Sequence, residues 1–238
     1  MKPTMTTKKK QIHNNCNLTP SFPNRCSFTA PTGSGKSVVM ANLSTRKRHS
    51  RNFFDVVLFH SPNVHFEDER AETKAKNEKA EMKFEEKFKE KEFGAMVHEV
   101  MREQKELKDK KKHMKKTLTI IDDFASDEKV MKSETLKDLF FAGGKCGACV
   151  WITSQCCKIV SPDVRTNAEH LIVFSRQPST ELKKMAEEMS TGKCTEKKIV
   201  ETLDEMSSVD HSFPHCNRKQ PMNERCMINF QSFMNIQT

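Results

Sequence analysis

The chain has 238 residues, with 41 Lys plus Arg against 32 Asp plus Glu, so its formal charge is +9 and charged residues make up 31%. That length suits one large domain or one domain with an appendage, and no apolar run approaches the ~18 residues of a membrane-spanning helix. The nine cysteines are odd in number and scattered, and residues 1–18 lack the apolar centre of a secretory signal, so reduced thiols and an intracellular, unsecreted protein are expected instead of a disulfide scaffold.

Residues 1–22 carry Lys2, Lys8, Lys9 and Lys10 without an acid and read as a basic flexible arm. Five short apolar runs follow, at Arg25–Thr29, Asp55–His60, Thr117–Ile121, Ala148–Thr153 and His170–Ser175. None alternates cleanly, which is the pattern of strands buried on both faces of a parallel sheet. Helical or mixed segments between them predict α/β crossovers. Residues 66–116 hold 16 basic and 14 acidic side chains. Phe84, Phe88, Val97, Val100, Met101 and Leu107 recur there near helical spacing, so the stretch predicts a charged helical crossover, broken into two helices at Gly94. Ser179 or Thr180 caps a helix to Met189, and Thr195 caps another to Met206. Ser207–Gln220 reads as loop and Arg225–Phe230 as a last strand. The domain boundaries are therefore an arm at 1–22, a core at 23–176, and helices with a final strand at 177–238 that complete the same domain.

The chemistry begins at Ala30-Pro31-Thr32-Gly33-Ser34-Gly35-Lys36-Ser37, a P-loop pattern with Ala30 in place of the usual first glycine. Gly33 and Gly35 permit the backbone angles that turn successive N–H groups toward phosphate oxygens. A following helix N-terminus adds positive potential. Lys36 then reaches the β- and γ-phosphates of ATP, and Ser37 is a ligand for Mg²⁺. The run Thr117–Ile121 ends in Asp122-Asp123, a Walker B pattern: Asp122 holds Mg²⁺ and Asp123 orients the attacking water. Gln155, after Val150–Ser154, suits a sensor of the γ-phosphate. Arg165, in Pro162–Asn167, and Arg176 are candidates for an arginine that stabilises transition-state charge from a neighbouring subunit. The cluster Arg46, Lys47, Arg48 and Arg51, with the arm, is a candidate surface for duplex DNA. Cys146-Gly147-Ala148-Cys149 lacks a matching second pair, and Cys156-Cys157 with His170 completes no zinc pattern, so buried structural cysteine is the reading. His211, His215, Cys216 and Cys226 form a weaker metal candidate.

In this order, Ala30–Ser37, Asp122-Asp123, Ile152–Gln155 and Arg165-Thr166-Asn167 before His170–Ser175 resemble the poxvirus-type DNA-packaging ATPases of the FtsK–HerA superfamily. The resemblance implies a P-loop NTPase three-layer α/β sandwich with a mostly parallel sheet of order 5-1-4-3-2. It also implies Mg²⁺-dependent ATP hydrolysis, a homo-oligomeric ring, and translocation of double-stranded DNA into a capsid through a capsid or portal partner, within the host cell at the site of virion assembly or in the virion. It carries nucleotide roles to Lys36, Ser37, Asp122, Asp123 and Gln155, and marks Arg165 and Asn167 as functional positions. The chain departs from the pattern at Ala30 and at Gly144-Lys145-Cys146, where relatives often carry Arg-His. The competing readings are a P-loop helicase or replication-initiation ATPase acting on single strands, and a nucleotide-dependent assembly protein.

Overall fold

A computed structural model of the protein describes residues 20–45, 50, 52–61, 79–85, 89–123, 128–174, 177–190, 195–207, 209–221, 224–230 and 232–233. The elements in chain order are β1 (Arg25–Thr29), α1 (Lys36–Thr45), β2 (Val56–His60), β3 (Glu81–Glu85), α2 (Glu90–Asp109), β4 (Thr117–Ile121), α3 (Glu128–Lys132), α4 (Glu134–Ala142), β5 (Ala148–Ser154), α5 (Pro162–Asn167), β6 (His170–Val173), α6 (Ser179–Met189), α7 (Glu196–Ser207), β7 (Pro214–Asn217), β8 (Cys226–Ile228) and β9 (Ser232–Phe233). They build one nine-stranded sheet of order β3-β2-β4-β5-β1-β6-β7-β8-β9. The five expected strands stand in it in the expected order, as β6-β1-β5-β4-β2. All five are parallel.

Burial explains why these runs become central strands. Every residue of β4 and β5 is buried, and successive side chains of a strand point to opposite faces. Ile121, Val150 and Ile152 pack on one face against Phe93 and Val97 of α2, Leu136 and Phe140 of α4, and Leu182 and Met185 of α6. Leu118, Ile120, Cys149 and Trp151 pack on the other face, against Met40 and Leu43 of α1 and Phe213 and Phe230 of the C-terminal segment. Helices therefore cover both faces, giving the three-layer arrangement. The buried indole of Trp151 donates to Asn24 Oδ1 at 2.8 Å, so its one polar atom is satisfied. All seven described cysteines are free thiols.

Three local expectations are corrected. The charged stretch 66–116 is not helical throughout: Glu81–Glu85 is a strand, parallel to β2 at the sheet edge. Met82 and Phe84 are half-buried while Glu81, Lys83 and Glu85 face solvent, so this segment follows the period of two that an edge strand requires. Nor does Gly94 break the helix. α2 runs unbroken through it, and a Cβ at Gly94 would lie 3.2 Å from Thr135 Oγ1, so the residue serves close approach of α2 to α4. Finally, the segment read as loop at 207–220 contains β7, which pairs antiparallel with β6 and β8. The cluster Arg46, Lys47, Arg48 and Arg51, Arg176, Phe88 and residues 1–19 of the arm lie outside the described residues.

Candidate active site at the carboxyl edge of the sheet

β1 feeds the loop 30–35, and α1 starts at Lys36. Ala30 is wholly buried, and its N–H donates to Ser154 O at 2.9 Å, tying the root of the loop to the end of β5. Its φ is not positive, so the methyl group strains nothing and fills the core beside Phe28. Pro31 O accepts from Ser34 N–H at 3.3 Å and from Ser34 Oγ at 2.7 Å, which closes the turn. Gly33 and Gly35 have φ of +76° and +90°, where only glycine is unstrained.

Three adjacent parallel strands, β2, β4 and β5, end together. Ser61 and Asp122, just past β2 and β4, and Thr153, in the last two residues of β5, lie side by side because His60 pairs with Ile121 and Ile121 with Ile152. Asp122 is 1% exposed. Its Oδ1 accepts from Thr153 Oγ1 at 2.6 Å and its Oδ2 from Ser61 Oγ at 3.4 Å. Thr153 Oγ1 in turn accepts from the N–H of Asp123 at 3.0 Å, so one hydroxyl positions both acids. Asp123 has φ +55°, a left-handed geometry that Asp tolerates better than most residues. Lys36, 7% exposed, reaches across from α1: its Nζ bonds Asp123 Oδ1 and lies 3.9 Å from Asp122 Oδ1. Burial raises the Asp122 carboxyl above the usual range, and neither Lys36 nor the Thr153 and Ser61 hydroxyls fully offset it. Neighbouring His60, buried with its ring 4.9 Å from that of Phe93, is pushed down to about 4 by burial.

The structure thus brings Lys36, Asp122 and Asp123 together. Ser37 lies on the first turn of α1, and Gln155 at the same sheet edge, one residue past β5. Gln155 is exposed, and its carbonyl accepts from Gln177 Nε2 at 3.4 Å. Arg165 is not brought to this cluster of its own chain; it stands on α5. α5 has already turned the chain back toward the start of β6. The Arg165 guanidinium there donates to Cys157 O and Val160 O at 2.8 and 2.9 Å and pairs with Glu188 at 2.7 Å. Asn167 is spent on its own helix, donating to Asp163 O at 2.8 Å. His215 stacks on His170, with Nε2 2.9 Å from His170 Nδ1, and Cys216 pairs in register with Cys226.

Three further residues shape the site. Ser61 and Thr153 hold Asp122; the signal for Thr153 was its place as one of two adjacent hydroxyl residues closing an apolar, fully buried strand. His211, from the connection between α7 and β7, sits on the loop 30–35 with Nδ1 3.0 Å from Ser34 O, so Nδ1 carries the proton and donates. A Cβ on Gly35 would stand 2.9 Å from that same nitrogen. A trans peptide points its C=O and N–H in opposite directions. Holding the Ser34 carbonyl therefore sets the direction of the Gly35 N–H. The connection itself is pinned: Ser212 Oγ donates to Met206 O at 2.6 Å and Val209 O at 2.9 Å, and Asn229 Oδ1 accepts from Phe213 N–H at 2.8 Å.

No family model matches the chain, and no curated protein matches it in sequence. Solved structures do match. The genome packaging NTPase B204 from Sulfolobus turreted icosahedral virus 2, in complex with ATP-gammaS, is 14% identical over 87% of this chain and 96% of its own, with a TM-score of 0.58. B204 described as the DNA-packaging ATPase from Sulfolobus turreted icosahedral virus is 13% identical over 87% and 97%, with a TM-score of 0.61. EssC (ATPases 2 and 3) from Geobacillus thermodenitrificans is 14% identical over 88% of this chain and 38% of its own, with a TM-score of 0.54. The chain therefore has the α/β fold of these P-loop ATPases, a viral packaging enzyme among them, as its ordered motifs lead one to expect.

Proposed function

We propose that this chain is a Mg²⁺-dependent ATPase motor that translocates double-stranded DNA, packaging a viral or virus-like genome. The observation that carries the reading is the cluster of Lys36, Asp122 and Asp123, two acids held by Thr153 and one cation bonded to them, beside a loop with two positive-φ glycines. Lys36 binds the β- and γ-phosphates of ATP, for which it must exchange its bond to Asp123. Asp123 orients the attacking water, and Gln155 senses the γ-phosphate from the end of β5. The Ser37 hydroxyl and the Asp122 carboxylate are hard oxygen donors of the kind Mg²⁺ takes, and Asp122 is a deeply buried acid with its lysine 3.9 Å away, so the residues present fit that ion. When bound, Mg²⁺ neutralises charge developing on the phosphates.

The packaging reading draws on B204, whose structures are those of a genome-packaging NTPase with ATP analogues. It extends to a homo-oligomeric ring and a capsid or portal partner. No arginine among the described residues is assigned to a neighbour's site, because Arg165 is committed within its own chain. The test is ATP turnover by the purified oligomer, alone and with duplex or single-stranded DNA. Stimulation by duplex, lost in Lys36→Ala, is expected. Folded protein that binds no ATP overturns the enzyme reading, and stimulation by single strands alone replaces the packaging motor with a helicase.

A further inference from the structure

The amino edge of the sheet carries a second concentration of charge. After α2 the chain runs Lys108-Asp109-Lys110-Lys111-Lys112-His113-Met114-Lys115-Lys116 into β4: six lysines against one acid in nine residues. Along α2 Glu and Lys are interspersed, and at its start Lys89 pairs with Glu92 at 2.9 Å. Beyond it the balance ends. A helix C-terminus favours one or two cations within its last turn, which accounts for Lys108 and Lys110 but not for Lys111, Lys112, Lys115 and Lys116. Lys111 lies past the helix end at φ +53°. Lys110 pairs with Glu106 at 3.6 Å and Lys115 with Glu103 at 3.1 Å, while Lys116 Nζ sits 4.5 Å over the Phe53 ring. Lys108, Lys111 and Lys112 are exposed and form no ion pair with the described residues.

These side chains share one concavity of about 330 Å³, lined by Lys108, Lys111, Lys112, His113, Lys115 and Lys116. Phe22 closes it on the side where the chain enters β1. The arm sequence, with four lysines and no acid in residues 1–19, joins the described chain at Pro20, two residues before Phe22. The concavity is wider than a single phosphate ion, and its cations are long, exposed side chains. Those are the properties of a surface that tracks a polyanion by charge, without sequence readout.

We propose that the lysine turn 108–116 is a docking surface for the phosphate backbone of duplex DNA, at the opposite edge of the sheet from the nucleotide site. The choice of polymer rests on the motor reading above. The test is duplex binding by the full chain, followed by anisotropy of a labelled random-sequence duplex over a range of KCl. The triple variant Lys108→Gln, Lys111→Gln, Lys112→Gln is compared with Lys183→Gln, Lys184→Gln, Lys197→Gln, which removes equal charge from exposed positions on α6 and α7. The turn variant is expected to bind at least about tenfold more weakly and to lower the slope of log affinity against log salt by about two to three, at about 0.9 per lost phosphate contact. The control is expected to shift the slope by less than about one. Equal weakening of the two variants, or an unchanged slope in the turn variant, overturns the surface. If wild-type protein binds duplex through the turn yet hydrolyses no ATP, the surface stands and the ATPase reading falls. If it hydrolyses ATP while the turn variant binds like wild type, the reverse holds.

Discussion

The two ends of the same parallel strands carry charge in opposite ways. At the carboxyl edge Lys36, Asp122 and Asp123 are few and close together, the acids held by the hydroxyls of Ser61, just past β2, and Thr153 of β5. At the amino edge the lysines of 108–116 are many and mostly exposed, and four of them, Lys108, Lys111, Lys112 and Lys116, have no ion-pair partner among the described residues. Charges desolvated and fixed in one geometry act on a ligand at contact range, where orientation decides the outcome. Solvated lysines act through summed potential, and salt screens them. The comparison predicts that substitutions at the first edge change turnover in ways that depend on exact chemistry, while those at the second change affinity in proportion to charge.

The largest expected effect tests the first half. Lys36→Ala removes the one cation of the cluster and leaves Asp122 and Asp123 as adjacent acids; ATP turnover should fall below detection. Thr153→Val keeps the shape of the side chain but takes a donor from Asp122 and an acceptor from the Asp123 N–H. Loss of such a supporting partner costs about 10- to 100-fold in activity, and Thr153→Ser should recover most of it. Steady-state ATPase assays read both. If Thr153→Val turns over like Thr153→Ser, the hydroxyl does not position the acids.

Acid should separate buried from exposed charge more broadly. Burial lowers His60 to about 4 and His215 to about 3, and lowers His170 well below its ordinary value. In the unfolded chain each takes up a proton near pH 6.5, whereas in the fold each stays neutral far below that. Between those limits the unfolded state binds more protons, so stability falls as pH falls, by about 1.4 kcal/mol per pH unit for each histidine at most. Thermal melts between pH 7 and pH 4 should therefore show a steep loss. A melting temperature flat across that window would mean that these rings are accessible to protons in the fold.

A smaller effect is expected at Arg165. Its guanidinium serves two carbonyls and Glu188 at the foot of α5 and α6. Arg165→Ala should lower stability by about 2 kcal/mol, in the range of hydrogen bonds to charged groups. Any change in kcat should be small by comparison. Chemical denaturation beside ATPase kinetics distinguishes the two, and a variant of unchanged stability with turnover lost by orders of magnitude would return Arg165 to a catalytic role.

How much of this was legible in the sequence depended on whether the signal was local. Ala30–Ser37 and Asp122-Asp123 each lie within a few residues at the end of an apolar run, and the structure sets Lys36 beside both acids. The five central strands were found because burial on both faces writes a continuous apolar run. β3 was missed because Glu81-Met82-Lys83-Phe84-Glu85 alternates with period two inside a stretch dominated by helix-compatible Glu and Lys. β7 was missed because Pro214, His215, Cys216 and Asn217 are poor strand formers. The segment is a strand because pairing between β6 and β8 buries it, and context of this kind outweighs propensity. Arg165 was given a role from its place in a motif, but which way a helix turns its guanidinium is not written in a six-residue pattern. His211 was beyond reach altogether as a contact: it meets Ser34 across 177 residues of sequence.

That long-range contact yields the smallest predicted effect and the sharpest check on the contact-range half of the comparison. His211 touches the loop 30–35 through one hydrogen bond, from Nδ1 to the Ser34 carbonyl, between two glycines whose positive φ lets the intervening peptides turn easily. His211→Ala frees that carbonyl, and the Gly35 N–H opposite it then samples directions that miss a phosphate oxygen. One neutral hydrogen bond is worth about 1 kcal/mol, so ATP affinity should weaken by about fivefold. The loss should appear in KM, with kcat changed less, because Lys36, Asp122 and Asp123 keep their own supports. Asparagine places an amide N–H near the position of Nδ1, and glutamine places one near Nε2. His211→Asn should therefore bind ATP nearly as wild type does, while His211→Gln should resemble His211→Ala. A plain packing role would predict the other order, since glutamine fills more of the ring's volume. Equal ATP affinity in wild type and His211→Ala would show that the loop holds its Gly35 N–H without help from the C-terminal segment.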